Sequence, residues 1–212
     1  MKDISALLTP YNMTKYHFNI EQGTTEWFDI RKGKMTASHA QAIANQGKGL
    51  ETYIDEMMSE CYSRAEKEQF RNEHTDRGNE LEDQAASIYA FDKEIELKTV
   101  GFVEHSEFAG CSPDRLVGED GMLEIKCPDD KAYFQYLLKK EKAIDSKYIW
   151  QIQMNLLITG RKWCDYVAYN PNYDESIFIY RILPDPEKIK AIMVGMEMGE
   201  EKIKAIRKII NK

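Results

Sequence analysis

Gly118-Glu119-Asp120-Gly121 constrains this chain more than any other stretch of its sequence. A pair of turn-forming glycines around two acids, set between apolar runs, signals a tight chain reversal. Residues 107–117 and 121–126 are therefore expected to pair as an antiparallel hairpin. A turn centred near Glu119 and Asp120 fixes the register, and the register puts Asp114 opposite the pair Glu124 and Ile125, to within about a residue. Two carboxylates then face each other inside strands that otherwise look buried. Like charges opposed across a ladder destabilise it, so the arrangement makes sense when a divalent cation lies between them. Lys126, two residues after Glu124, projects from the same face of its strand and reaches the same site.

Few, hard oxygen ligands suit Mg2+, which keeps several waters and binds phosphate oxygens. A cation that acidifies water, beside a lysine that orients it or neutralises charge at phosphorus, is apparatus for phosphodiester hydrolysis. The pattern alone is common: Pro-Asp recurs at 113–114, 128–129 and 184–185, and acid-x-Lys at Glu96–Lys98, Asp129–Lys131, Asp145–Lys147 and Glu200–Lys202. Context separates the copies. Asp129 and Asp145 fall at helix starts, and Glu200 lies on a helix whose mixed charges suit a solvated face. Only Asp114, Glu124 and Lys126 belong to a tight hairpin of apolar strands; the competing reading is an edge hairpin with solvent-facing charges.

Elsewhere, TTEWFDIRKGK predicts a short helix ending near Gly33, and MTASHAQAIAN a second with Thr36 or Ser38 as its N-cap. From Glu51 to Phe70 the apolar residues Tyr53, Ile54, Met57, Met58, Cys61, Tyr62 and Ala65 recur at helical spacing. A further helix at 75–91 carries Leu81, Ala85, Ile88 and Tyr89 on one face, with Glu82 at its margin. Strands are expected at 94–104, 107–117 and 121–126, then a charged helix near 130–141. SKYIWQIQMNLLIT (146–159) is apolar nearly all round, which predicts a buried helix whose Gln151, Gln153 and Asn155 need polar partners. WCDYVAYNP and ESIFIYRIL predict two more strands, and a helix follows Pro186. Trp27, Trp163, Tyr166 and Tyr169 are expected in the core. The order predicts one mixed sheet flanked by helices, an α/β or α+β sandwich.

At 212 residues the chain suits a single domain over 1–212 with a sizeable core. A net charge of −7 excludes a protein that coats nucleic acid through its overall field, so a DNA substrate requires locally gathered basic residues. Cys61, Cys111, Cys127 and Cys164 have no metal-ligand spacing, which argues against zinc, an iron–sulfur cluster or a disulfide framework. The N-terminus lacks the basic and apolar regions of a signal peptide and no window suits a membrane span, so a cytoplasmic protein is expected.

Four ordered blocks resemble the phage lambda exonuclease-like, YqaJ-type viral recombination nucleases of the PD-(D/E)xK superfamily. They are GTTEWFDIRKGKMTAS (23–38), RGNELEDQA (77–85), CSPDRLVGEDGMLEIKCP (111–128) and YIWQIQMNLLITGRKWCDYVAYNP (148–171). The resemblance implies a restriction-endonuclease-like core over about 23–171, with a further strand and helix in 172–212. It also implies that Asp114, Glu124 and the main-chain carbonyl of Ile125 bind Mg2+, in a two-metal site that Mn2+ could also fill. Lys126 would assist the attacking water and Glu82 support the metal. Arg31, Ser38, Ser112 and Gln153 match a pocket that grips a 5′-terminal phosphate. The activity implied is 5′-to-3′ digestion of one strand of linear double-stranded DNA from phosphorylated ends. Such enzymes leave 3′ tails for a single-strand annealing protein, act as a homotrimeric ring, and belong to a phage or prophage. An endonuclease or RecB/Cas4-like nuclease on the same core, or a silent DNA-end-binding module, are the alternatives. Arg115 departs from the pattern, standing where a small residue, often glycine, follows the SPD tripeptide.

Overall fold

The computed structural model describes residues 14–64 and 73–210. Among them, β1 (Lys15–His17), α1 (Thr25–Arg31), β2 (Met35–Thr36), α2 (Ala40–Asn45) and α3 (Lys48–Tyr62) come first. The helix α4 (Glu73–Lys93) leads into β3 (Leu97–Lys98), β4 (Phe102–Ser106), β5 (Ala109–Cys111), β6 (Arg115–Val117) and β7 (Gly121–Lys126). Then follow α5 (Asp130–Lys139), α6 (Ser146–Thr159), β8 (Trp163–Tyr169), β9 (Ile177–Ile182) and α7 (Pro186–Ile210).

The mixed sheet is present, in the order β3-β6-β7-β8-β9, with β7 and β8 parallel and the other neighbours antiparallel. It is accompanied by a second sheet, β1-β4-β5-β2, where one sheet was expected. Two of the expected strands are each cut in half. The span 94–104 gives β3 to the large sheet and β4 to the small one, while 107–117 gives β5 to the small sheet and β6 to the large. The chain thus crosses between sheets at 99–101 and again at 112–114. Pro113 has no N–H to give to a ladder. Gly101 lies so close to the main chain of Ile20 that a Cβ there would be 2.1 Å from the Ile20 carbonyl oxygen.

Strand alternation along β7 and β8 builds a core on each side of the large sheet. Leu123, Ile125, Val167 and Tyr169 cluster with Ala85, Ala86 and Tyr89 of α4. Met122, Cys164, Tyr166 and Ala168 turn the other way, into a larger cluster with Ile152, Met154 and Leu156 of α6. Eight consecutive residues of α6, from Ile152 to Thr159, are buried, as its all-round apolar composition predicts. Asp145 caps this helix by accepting the Lys147 N–H, and Gly160 ends it in the left-handed conformation.

The turn between β6 and β7 is the three residues Gly118, Glu119 and Asp120, with Val117 paired to Gly121 and Gly118 at φ +51°. Arg161 clamps it: its Nη1 donates to the carbonyls of Gly118 (3.0 Å) and Gly121. The Lys162 N–H donates to the Asp120 carbonyl at 2.7 Å.

Two helix boundaries differ from expectation. The α3 helix stops at Tyr62, and Ser63 is already extended, whereas a helix to Phe70 was expected; residues 65–70 lie outside the described residues. The second helix does not start at Thr36 or Ser38. Met35–Thr36 pairs in parallel with β5, Ala37–His39 makes one 3-10 turn, and neither Thr36 nor His39 caps through its side chain. Pairing of Met35–Thr36 beside β5, together with donation of the Thr36 N–H to the Tyr53 hydroxyl at 3.0 Å, keeps this backbone extended before a helix can begin.

Candidate active site

Arg115 pairs with Leu123, and the same register carried one residue back sets Asp114 opposite Glu124. The structure therefore brings together the hairpin residues named from sequence. Asp114 Oδ2 accepts the Ile125 N–H at 2.6 Å, locking the crossing to the strand beside it. Glu124 is completely buried. Its Oε1 accepts from Gln151 Nε2 at 2.6 Å and its Oε2 from Asn155 Nδ2 at 3.3 Å. Those two amides stand four residues apart, hence on one face of α6, and Glu124 takes a donor from each, while Asn155 Oδ1 stays buried with no hydrogen-bond partner among the described residues.

The Lys126 ammonium stands among the oxygens named as cation ligands. Its Nζ is 2.6 Å from Glu124 Oε1, 2.9 Å from the Ile125 carbonyl oxygen and 4.0 Å from Asp114 Oδ2. Burial works against its charge, but Glu124, Asp114 and Glu82 outweigh burial and hold the lysine well above its ordinary pKa. Glu82 makes no hydrogen bond or ion pair among the described residues, yet it lies close enough to feel the others. Burial first, and then the Asp114 charge, raise its pKa to about 7 against the pull of Lys126 and Arg115. Burial likewise raises Glu124 to about 7, with Asp114 adding to the rise and Lys126 opposing it.

This donor set fits a hard divalent cation. Asp114 and Glu124 face each other at a poorly solvated point within electrostatic reach of Glu82, a positive group already stands against both and against a main-chain carbonyl, and every donor is oxygen. Among the described residues no three His, Cys, Asp or Glu side chains converge in metal-holding geometry. The fit therefore rests on Asp114, Glu124 and the Ile125 carbonyl, with Glu82 behind them.

A second cluster begins one residue before Pro113. The Ser112 hydroxyl donates to the Gly101 carbonyl at 2.8 Å and accepts from Arg31 Nη1 (3.2 Å) and Trp27 Nε1 (3.0 Å). The Arg31 guanidinium lies 3.8 Å above the Trp27 ring. It has no carboxylate partner among the described residues, and burial lowers its pKa to about 10. A largely buried guanidinium without an anion is a ready phosphate ligand. Ser38 Oγ is exposed, within 3.2 Å of Thr36 Oγ1 and 3.3 Å of His39 Nδ1. His39 stacks on Tyr53 with centroids 4.0 Å apart. Burial and then the nearby Arg31 charge hold its imidazole below the ordinary range, against Glu56 and Glu60.

Gln153 is not brought to this cluster. It sits two positions, or about 200° around α6, from both Gln151 and Asn155. Its Nε2 donates to the Leu183 carbonyl at 2.9 Å and its Oε1 accepts the Asp185 N–H at 2.7 Å. These bonds, which tie α6 to the entry of α7, account for its burial. Trp27 and Trp163 also correct an expectation: both are half-buried, each with an arginine stacked on it, Arg31 and Arg181 respectively. Tyr166 and Tyr169 are in the core. His39 and the platform role of Trp27 were missed; their one signal was adjacency to Ser38 and helical spacing, four apart, to Arg31.

A family model, that of the YqaJ-like viral recombinase domain, matches residues 26–162, which contain both clusters. Among solved structures, the alkaline exonuclease LHK-Exo from Laribacter hongkongensis is 29% identical, with a TM-score of 0.79, over 89% of this chain and 96% of that one. LHK-Exo in complex with dAMP is 30% identical with a TM-score of 0.75, over 87% of this chain and 97% of that one. A phage-related exonuclease from Haemophilus somnus 129PT, 19% identical with a TM-score of 0.59 over 83% of this chain and 96% of that one, shares the fold. Among curated proteins, none matches.

Proposed function

The chain belongs to the YqaJ-like viral recombinase family, and on that premise we propose that it is a Mg2+-dependent 5′-to-3′ exonuclease. It digests one strand of linear double-stranded DNA, prefers 5′-phosphorylated ends and leaves 3′ single-stranded tails. The observation that carries this reading is that two functional clusters meet on the Ser112-Pro113-Asp114 crossing. Ser112 belongs to the Arg31 cluster and Asp114 to the carboxylate cluster, so the two are separated by at most about 7 Å of extended chain. That is the order of the step between neighbouring phosphates of one strand. A terminal phosphate held by Arg31, Ser112 and Ser38 would leave the next phosphodiester at Asp114, which favours release of a 5′-mononucleotide. LHK-Exo has been solved in complex with dAMP, a mononucleotide, which supports this reading.

Asp114, Glu124 and the Ile125 carbonyl would hold Mg2+, supported by Glu82; bound there, it supplies acidified water and neutralises charge at phosphorus. Gln151 and Asn155 keep both oxygens of Glu124 oriented. Lys126, which stands against Glu124 and the Ile125 carbonyl, would orient the attacking water and offset charge growing on the phosphate. The acidic chain reaches DNA through the Arg31 cluster and through further basic groups gathered by assembly into a homotrimeric ring. Its 3′ tails would be taken up by a single-strand annealing protein in the cytoplasm of a phage-bearing host.

The test is digestion of linear duplex bearing a labelled 5′-phosphate or 5′-hydroxyl, beside covalently closed circles, with Mg2+, Mn2+ or EDTA. Metal-dependent loss of the linear duplex alone, faster from the phosphorylated end, is expected. Cleavage of circles would make the protein an endonuclease, and no cleavage anywhere would make it an end-binding module.

A further inference from the structure

Arg115 stands where the resemblance called for a small residue, and the structure gives that side chain a partner on another element. The position needs no glycine, because Arg115 opens β6 and is absent from the residues with positive φ. Its side chain is mostly covered, at 17% exposure. Nη1 donates to the main-chain carbonyl of Asp114 at 2.6 Å, and Nη2 donates to Asp83 Oδ1 on α4. Asp83 directly follows Glu82. Further along α4, Gln84 accepts from the Tyr169 hydroxyl at 3.3 Å, and the Tyr89 hydroxyl donates to Asp165 at 2.7 Å. Among the described residues, the tie nearest Glu82 is the one made by Arg115.

We propose that Arg115 is a positioning residue that pins α4 to the Ser112–Asp114 crossing, so that the separation of Glu82 from Asp114, and with it the affinity for the divalent cation, depends on the Arg115–Asp83 pair. This inference rests on the metal-site reading given above. The Arg115–Asp83 pair acts through placement more than through strength. Asp83 is 74% exposed, and an ion pair open to solvent at one end adds little to global stability. A tie one residue from a metal-supporting carboxylate acts instead on geometry, as hydrogen-bonded partners behind metal ligands do. Because Nη1 holds the carbonyl of Asp114 itself, one guanidinium fixes both sides of the cation site.

The test uses Arg115→Ala, Asp83→Ala and the double variant in the full chain. Mg2+ binding is measured by calorimetry without DNA, the Mg2+ half-saturation of hydrolysis is measured in parallel, and KM for linear duplex is followed at two salt concentrations. Both single variants are expected to weaken Mg2+ binding roughly tenfold. The double variant should be no weaker than either, with KM for DNA unchanged. Asp83→Ala guards against misfolding of the arginine variant, since it alters an exposed side chain. A salt-dependent rise in KM for Arg115→Ala alone, without an effect of Asp83→Ala, would make Arg115 a phosphate contact and overturn the pin. Unchanged Mg2+ binding in both single variants would overturn it too. Glu124→Gln separates the two readings: if that variant binds Mg2+ as the unaltered chain does, the metal-site reading falls and the pin with it.

Discussion

Lys126 illustrates what a single residue can disclose from sequence. Its face followed from its spacing to Glu124, and its neighbour across the hairpin followed from the Gly118–Gly121 turn. The structure adds that it remains charged, because Glu124, Asp114 and Glu82 outweigh the cost of its burial. On the proposed role, in which Lys126 acts on the transition state and does not ligate the metal, Lys126→Ala is expected to lower the rate of hydrolysis by roughly 10³-fold while DNA-end affinity stays within about a factor of three. Single-turnover cleavage beside equilibrium binding in Ca2+ would check it, and a matched loss of affinity would count against the role. Arg31 makes a different prediction. It meets Ser112 and Trp27 and no described carboxylate, so Arg31→Ala should reduce the preference for 5′-phosphate over 5′-hydroxyl ends by roughly tenfold or more, with hydroxyl-end cleavage little altered. An unchanged ratio would remove Arg31 from the phosphate pocket. His39 was not legible in this way, because its place beside Arg31 depends on a 3-10 turn and a Tyr53 stack that no local pattern specifies.

At the level of elements, the hairpin was legible and the division into two sheets was not. Alternation of apolar residues tells which face a side chain takes; it does not tell which sheet a strand joins, so 107–117 read as one strand although its halves belong to different sheets. Pro113 was the available signal, and its weight becomes clear only when the crossing is seen to place Asp114 at the rim of the large sheet. The buried helix α6 was legible because its composition admits no solvent face, and its stranded amides had to find partners. Two of them found Glu124. Asn155→Leu should leave Glu124 with one donor fewer in a buried setting, which disfavours the carboxylate form. Loss of about 1–3 kcal/mol in denaturant-induced unfolding is expected, with Mg2+ binding displaced to higher pH. Gln153→Leu, on the far side of the same helix, should cost comparable stability by freeing the 183–185 segment while leaving the pH dependence of Mg2+ binding in place. A shift in both variants would mean that α6 responds as a whole.

For the whole molecule, the crowded carboxylates link stability, pH and metal. Glu82 and Glu124 have folded-state pKa values of about 7 against an ordinary 4.5. Between those two values the metal-free folded chain holds protons that the unfolded chain has released. Stability from these groups is therefore fully present below about 4.5 and is lost as pH rises through about 7. A divalent cation held as proposed would reverse the sign, because it would bind the ionised carboxylates and have to displace those protons when pH is below about 7. Thermal melts in EDTA are accordingly expected to fall from pH 6 to pH 8, and the rise in Tm produced by an excess of Mg2+, about 10 mM, to grow over the same interval. Calorimetry at pH 6.5 in buffers of different ionisation enthalpy should register proton release on Mg2+ binding, and Glu82→Gln and Glu124→Gln should each flatten the melt profile. A Tm increment from Mg2+ that is the same at pH 6 and pH 8, with no proton released, would mean that these carboxylates do not hold the ion. The pairing of Lys126 with Glu124 would then be a permanent feature of the core and not a contact that the ion relieves.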